Sequence, residues 1–125
     1  MIPMLSLKKL DCDFTICKVD DLSGIDLEKE YFFLSKTDEE ISLVCPTMET
    51  PLFTVAREDG WRGFRVEGIL EFSLIGILAK ISSLLAEHGI GIFVVSTYNT
   101  DYVFTKENDF DLTLRVLSQA GYEIL

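Results

Sequence analysis

Residues 69–106 read ILEFSLIGILAKISSLLAEHGIGIFVVSTYNTDYVFTK, and their periodicity decides the fold. A strand runs into a tight turn with Gly76 at the start of an amphipathic helix. Leu74, Ile77, Leu78, Ile81, Leu84 and Leu85 form a stripe of period 3.6, while Lys80, Ser83 and Glu87 lie off it. Ser73 is the expected N-cap, and Gly89, just past His88, is the expected left-handed stop. Ile90 to Thr97 is apolar on both parities, with Ile92 and Val94 on one face and Phe93 and Val95 on the other. That pattern predicts a central strand. A YNTD turn ending at Asp101 leads into a shorter strand from Tyr102 to Thr105.

Outward from this stretch, Phe64, Val66 and Leu70 alternate with Arg65 and Glu67, which predicts a half-buried strand from Trp61 to Leu70. After Thr105, Asn108 and Asp111 resemble a capping pair. Phe110, Leu114, Leu117 and Ala120 then fall at helical spacing, Gly121 closes that helix, and Tyr122–Leu125 offers a last strand. The order is β-α-β-β-α-β, an α+β ferredoxin-like arrangement with helices on one sheet face. Phe93 and Val95 belong to the other face and need a cover, from a second copy in a homodimer or from the N-terminal half.

The N-terminal half is rich in strand signals. Met4–Leu10 and Asp13–Val19 read as strands, and Tyr31–Lys36 with Ile41–Cys45 as a hairpin across Thr37-Asp38-Glu39. Between them, DDLSGIDLEKE has room for a helical turn or two, and Pro46 and Pro51 mark a connection into the second half. A faint repeat links the halves. Gly24 over Gly76 pairs Leu22 with Leu74 and Ile25 with Ile77; Ser35 over Ser96 pairs Glu40 with Asp101. The first copy spans sixteen residues between these anchors against twenty-five, so its helix is truncated. We therefore expect residues 1–59 to form a degenerate unit and residues 60–125 a complete one.

Composition limits the function classes. A 125-residue chain that is 48% hydrophobic can build a dense core without staples. A net charge of −10 repels phosphate backbones and anionic membrane surfaces, so neither nucleic acid nor membrane is an expected partner. No signal-peptide layout and no membrane-length apolar run is present, which predicts a cytoplasmic protein. Cys12, Cys17 and Cys45 form no CxxC pair and His88 is the only histidine. Reduced structural thiols are expected, and neither a metal nor a cofactor.

Val66-Glu67-Gly68, Phe72-Ser73-Leu74-Ile75-Gly76-Ile77-Leu78 and Ser96-Thr97-Tyr98-Asn99-Thr100-Asp101-Tyr102 resemble ACT-domain proteins. The likeness is to small bacterial proteins with two tandem ACT units, relatives of the ligand-binding ACT modules of aspartokinases and cytosolic arginine sensors. It implies a regulatory module that binds free amino acids at interfaces between ACT units and commonly dimerises. By position, the resemblance assigns Ser73, Leu74 and Gly76, with Ile75 and Ile77 beside them, to the ligand loop, and Asp101 to the facing strand. No catalytic domain accompanies the module.

The residues themselves support that assignment with alternatives. Amide donors at a helix start suit a carboxylate, and a nearby Asp suits an ammonium group. Gly76 could expose those amides or simply let helix and sheet pack closely. Asp101 could begin a strand after a turn. Glu40, its repeat counterpart, sits in the acidic run Asp38-Glu39-Glu40, where a solvated turn is the plainer account. His88 reads as a helix cap rather than a catalyst, and Ser73 lacks the glycine-flanked elbow of a nucleophile. Trp61 and Phe64 read as core, and no carboxylate spacing singles out an acid/base pair. A non-catalytic amino-acid sensor is the preferred reading, a cationic amino acid being its first candidate. A ligand-free assembly module and a small enzyme on the same scaffold are the rivals.

Overall fold

A computed structural model describes residues 5–67 and 76–125. Ser73, Leu74 and Ile75 of the expected ligand loop therefore lie outside the described residues. The chain divides into two compact units, one of residues 1–11 and 62–125, the other of residues 12–61.

The larger unit holds β1 (Ser6–Lys9), the second half of β5 (Ala56–Glu67), α1 (Ile77–Glu87), β6 (Ile92–Ser96), β7 (Asp101–Lys106), α2 (Glu107–Gln119) and β8 (Glu123–Ile124). Its strands lie in the order β8-β1-β5-β7-β6. From β5 onward this is the βαββαβ succession that the period changes predict. Two placements differ from the sequence expectation. The first is β1, grouped above with the N-terminal half. It pairs antiparallel with β5 (Ser6 opposite Glu67, Lys9 opposite Phe64) and parallel with β8 (Leu7 opposite Ile124). The physical reason is that Leu7 is fully buried in the core built on Phe64 and Val66, a contact that alternation alone cannot assign. The second is β6, which among the described residues bonds only to β7 and is an edge strand, not a central one. Its residues Ile92–Val95 are half-buried, as an edge position dictates.

Parity sorts the larger unit's residues. Leu7, Phe64, Val66, Val103, Ile92 and Val94 point to the helices and meet Ile81 and Leu85 of α1 and Phe110 and Leu117 of α2. Each large apolar side chain so buried contributes about 1.5–3 kcal/mol. Both helices end in the same way. Ile90 N–H bonds to Leu85 C=O and Gly89 N–H to Ala86 C=O; Tyr122 N–H bonds to Leu117 C=O and Gly121 N–H to Ser118 C=O. The glycines stand at φ +71° and +104°, so both predicted stops are Schellman turns. The expected Asn108–Asp111 cap is not used: α2 begins at Glu107 with Lys106 at its N-cap position and no side-chain cap.

The smaller unit holds β2 (Phe14–Val19), β3 (Phe33–Lys36), β4 (Ile41–Pro46) and the first half of β5, in the order β3-β4-β2-β5. Cys17, Val19 and Leu43 share one face, and Ile25, Phe32 and Ile41 pack on it. Bends and turns connect Asp20 to Phe32, and Ile25 and Phe32 supply the apolar cover that α1 gives the larger unit. Burial pushes the Cys45 thiol up to about 11 and raises that of Cys17 as well, which keeps both protonated and unreactive at neutral pH. Gly60, at φ +84°, makes a bulge opposite Thr15. The bulge turns the Asp59 carboxylate onto the buried Thr15 hydroxyl, which donates to it at 2.7 Å. Thr15 also lies 2.9 Å from the Thr47 hydroxyl, and Arg57 donates twice to the same Asp59 oxygen. These bonds hold the Asp59 carboxyl below its usual pKa, the Thr15 bond first among them.

Gly63 is fixed by close packing. A Cβ there would stand 2.6 Å from the ring of Phe104, which is fully buried. Gly63→Ala should therefore lower stability to chemical denaturation by about 1–3 kcal/mol, the usual cost of forcing atoms into a filled core. Unchanged denaturation midpoints would show that the ring can move aside.

Candidate functional site

The site expected at the start of α1 is built on the end of β5. Glu67 closes that strand, and Thr100, one residue before β7, donates its hydroxyl to the Val66 carbonyl at 2.7 Å. The same turn closes on itself, with Thr97 N–H bonded to the Thr100 carbonyl at 2.8 Å. Asp101 therefore begins β7 at the end of the sheet where β5 finishes. Its parity is that of Val103 and Thr105, the residues that face the helices, and it is half-buried. Val66 and Ile77 belong to the same core cluster, so the start of α1 and Asp101 border one end of one core. Thr100, which ties the turn to β5, is a positioning residue that the sequence reading did not single out. No local signal marks it, because its partner is a backbone carbonyl thirty-four residues away.

The N-cap position of α1 is Gly76, not Ser73: the helix starts at Ile77 and its first bond runs from Lys80 N–H to the Gly76 carbonyl at 2.9 Å. Gly76 stands at φ +84°, and a Cβ placed on it meets nothing within 4 Å. Close packing is thus not what the glycine serves among the described residues; the left-handed conformation is. Among the described residues, the α1 start has no side-chain cap and no acidic residue in its first turn. In contrast, α2 carries Glu107 and Asp109 in its first turn. None of the described residues supplies an anion to the positive dipole end of α1.

On the opposite face, Arg65 donates through Nε and Nη2 to Glu67 Oε1, both at 2.9 Å, and Nη1 stands 3.5 Å from the Tyr102 hydroxyl. This group lies beside the same strand end. Strand alternation marked Arg65 and Glu67 as outward-facing, but not their pairing with each other or with Tyr102.

Glu40 does not occupy the counterpart of Asp101. Thr37 N–H bonds to the Glu40 carbonyl at 2.9 Å, as Thr97 does to that of Thr100. The ladders agree, with Lys36 opposite Ile41 and Ser96 opposite Asp101. The repeat is therefore offset by one residue from the alignment on Ser35 and Ser96. Glu40 matches Thr100, and Asp101 matches the apolar Ile41. Glu40 is an exposed turn residue whose N–H is bonded to the Thr37 hydroxyl. His88 caps α1, its Nδ1 lying 3.0 Å from the Leu84 carbonyl, which makes that nitrogen the donor. Among the described residues no cluster of His, Cys, Asp and Glu could hold a metal, and no helix is long and apolar enough to cross a membrane.

The ACT-domain profile matches residues 56–119, which covers β5 through α2. The chain belongs to the ACT-domain family. A protein from Agrobacterium tumefaciens, Atu0741, superposes with a TM-score of 0.88 at 30% identity, over 99% of this chain and 94% of that one. VC0802 from Vibrio cholerae, described as of unknown function and a possible transport protein, gives 0.73 at 22% identity, over 92% and 88%. The aspartate kinase of Clostridium acetobutylicum, an allosteric enzyme, gives 0.70 at 15% identity, over 97% of this chain and 35% of the kinase. At that identity the kinase shows the fold alone. No curated protein is significantly similar in sequence. ACT membership gives this chain a regulatory, ligand-binding role in general terms.

The backbone account of Gly76 has a direct test. Gly76→Ala should lower stability by about 1–2 kcal/mol through the left-handed penalty, while Gly76→Asn should cost less because Asn tolerates that region. Equal losses in thermal denaturation would return the explanation to packing.

Proposed function

We propose that this ACT-domain chain is a non-catalytic sensor that binds a free amino acid at the start of α1. The ligand carboxylate lies against the first-turn amides after Gly76, the family resemblance adding Ser73, Leu74 and Ile75 to the ligand loop, and the ammonium group meets Asp101. The observation that carries this reading is the α1 start, which among the described residues has neither a side-chain cap nor a first-turn carboxylate, at the sheet end where Asp101 begins β7. An α-amino acid brings an anion and a cation on one carbon, which matches two such groups at one sheet end. The acidic balance of the chain, −10, makes a cationic amino acid the first candidate, since the protein's field raises the local concentration of cations.

Calorimetric titration against the twenty amino acids tests the proposal. One of them should bind saturably, and Asp101→Ala should weaken it by at least an order of magnitude. Loss of a charged partner from a desolvated ammonium costs about 2–5 kcal/mol. Tight binding retained by Asp101→Ala would remove the ammonium contact from the scheme.

A second reading, assembly, is favoured by one specific observation. β6 is an edge strand among the described residues, with Phe93 and Val95 half-buried on the face away from the helices. An exposed edge with apolar residues beside it invites pairing with a second copy. The expected result is a homodimer by light scattering at micromolar concentration, and Val95→Lys should shift it toward monomer. A wild-type monomer at high micromolar concentration rules the assembly out.

A further inference from the structure

The smaller unit has a cleft of its own, about 590 Å³, between the turn after β2 and the segment leading into β5. That volume falls within the range of small-molecule sites. One wall is apolar and open to solvent: Leu52 is 88% exposed and Phe53 85%. The other rim carries Asp20, Asp21 and Ser23, and no Lys, Arg or His lines the cleft. The segment bearing the apolar wall is anchored, with Val55 N–H bonded to the Lys18 carbonyl at 2.7 Å.

The turn is the counterpart of the approach to α1. Gly24 stands at φ +80° and Gly76 at φ +84°, and Ile25 and Ile77 each pack into the core of their own unit. Its Ser23 amide and hydroxyl donors are satisfied within the turn. Ser23 N–H donates to Asp21 Oδ1 at 2.9 Å, and the Ser23 hydroxyl donates to the same oxygen. The Asp21 carboxylate thus takes the amide that a ligand carboxylate would need, and these two bonds hold its pKa down, the hydroxyl bond foremost. The register that replaces Asp101 by Ile41 removes the other half of an amino-acid site.

We propose that this cleft binds a small organic cation with an apolar body and no carboxylate. An ammonium or guanidinium group meets Asp21 and Asp20, and the apolar body covers Leu52 and Phe53. The Phe53 ring, open to solvent on the cleft wall, also offers its face to the cation. A ligand carboxylate meets no cationic side chain here and faces Asp20 and Asp21, so anions and zwitterions are disfavoured. The proposal does not depend on amino-acid binding by the larger unit.

Amide NMR spectra of the full chain, titrated with phenethylammonium and separately with 3-phenylpropionate, test it. Phenethylammonium should shift the Ser23, Gly24, Thr54 and Val55 amides saturably, and 3-phenylpropionate should leave them unmoved. Asp21→Asn keeps an oxygen for the Ser23 bonds and removes the charge; it should weaken phenethylammonium by at least about fivefold, as should Phe53→Ala. A well-dispersed spectrum from each variant certifies its fold. The proposal is overturned by the absence of saturable shifts at those amides, by equal binding of 3-phenylpropionate, or by undiminished binding to Asp21→Asn. Shifts at Gly76 and Asp101 in place of the cleft amides also overturn it. Amino acids failing to bind while phenethylammonium does would sink the amino-acid reading and leave this one standing.

Discussion

The ladder of β5 with β1 on one side and β7 on the other is the constraint on which the larger unit depends. Alternation along β5 sends Phe64 and Val66 to the helices and leaves Gly63, Arg65 and Glu67 on the opposite parity. Each of these does something different. Phe64 and Val66 fix where α1 and α2 dock, Gly63 admits the Phe104 ring, and Glu67 ends the strand while it pairs with Arg65. Because the ladder period is two, a slip of one residue would put Arg65 in the core and Phe64 in the position of Gly63. The fully buried Leu7, paired across from Val66, resists such a slip from the β1 side.

That same ladder sets which end of the sheet carries the proposed binding site. A strand end, a helix start and a hairpin end at the same place, and each leaves polar groups that an interior would not tolerate. In α2 the comparable need is met within the chain by Glu107 and Asp109. In the turn after β2 it is met by Asp21, which takes the Ser23 amide. At the start of α1 no carboxylate among the described residues plays this part.

The duplicated plan also shows how two halves of a tandem protein can diverge while keeping a backbone signature. Gly24 and Gly76 retain the same left-handed conformation. Around them the smaller unit has no α-helix, has its own turn carboxylate in Asp21, and has Ile41 at the strand start where the larger unit has Asp101. An apolar Ile41 suits that unit, since without a helix its sheet face is covered by few side chains, Ile25, Phe32 and Ile41 among them. Packing demand and ligand chemistry compete for the same position, and here the two units resolve that competition in opposite ways.

The sequence by itself determined the βαββαβ succession, the two glycine stops, the described stripe of α1 and Phe110, Leu114 and Leu117 of α2. Each is written in a local period or a single residue, such as Gly89, Gly121 or the Ile81–Leu85 spacing. It also placed Gly76 and Asp101 as site candidates, from local pattern and from family likeness. In α2, however, Ala120, expected in the stripe, is exposed, and the buried Thr113 and Val116 were not expected. Tertiary structure decided what local pattern could not. Whether β1 joins the first or second unit depends on Leu7 finding Val66, fifty-nine residues away. Whether β6 is central or at the edge depends on how many strands lie beyond it, not on its own apolar run. The one-residue offset that separates Glu40 from Asp101 came from hydrogen bonds inside two four-residue turns. Side-chain patterns identify an element, because its period is local; pairing partners and register come from contacts distant in sequence.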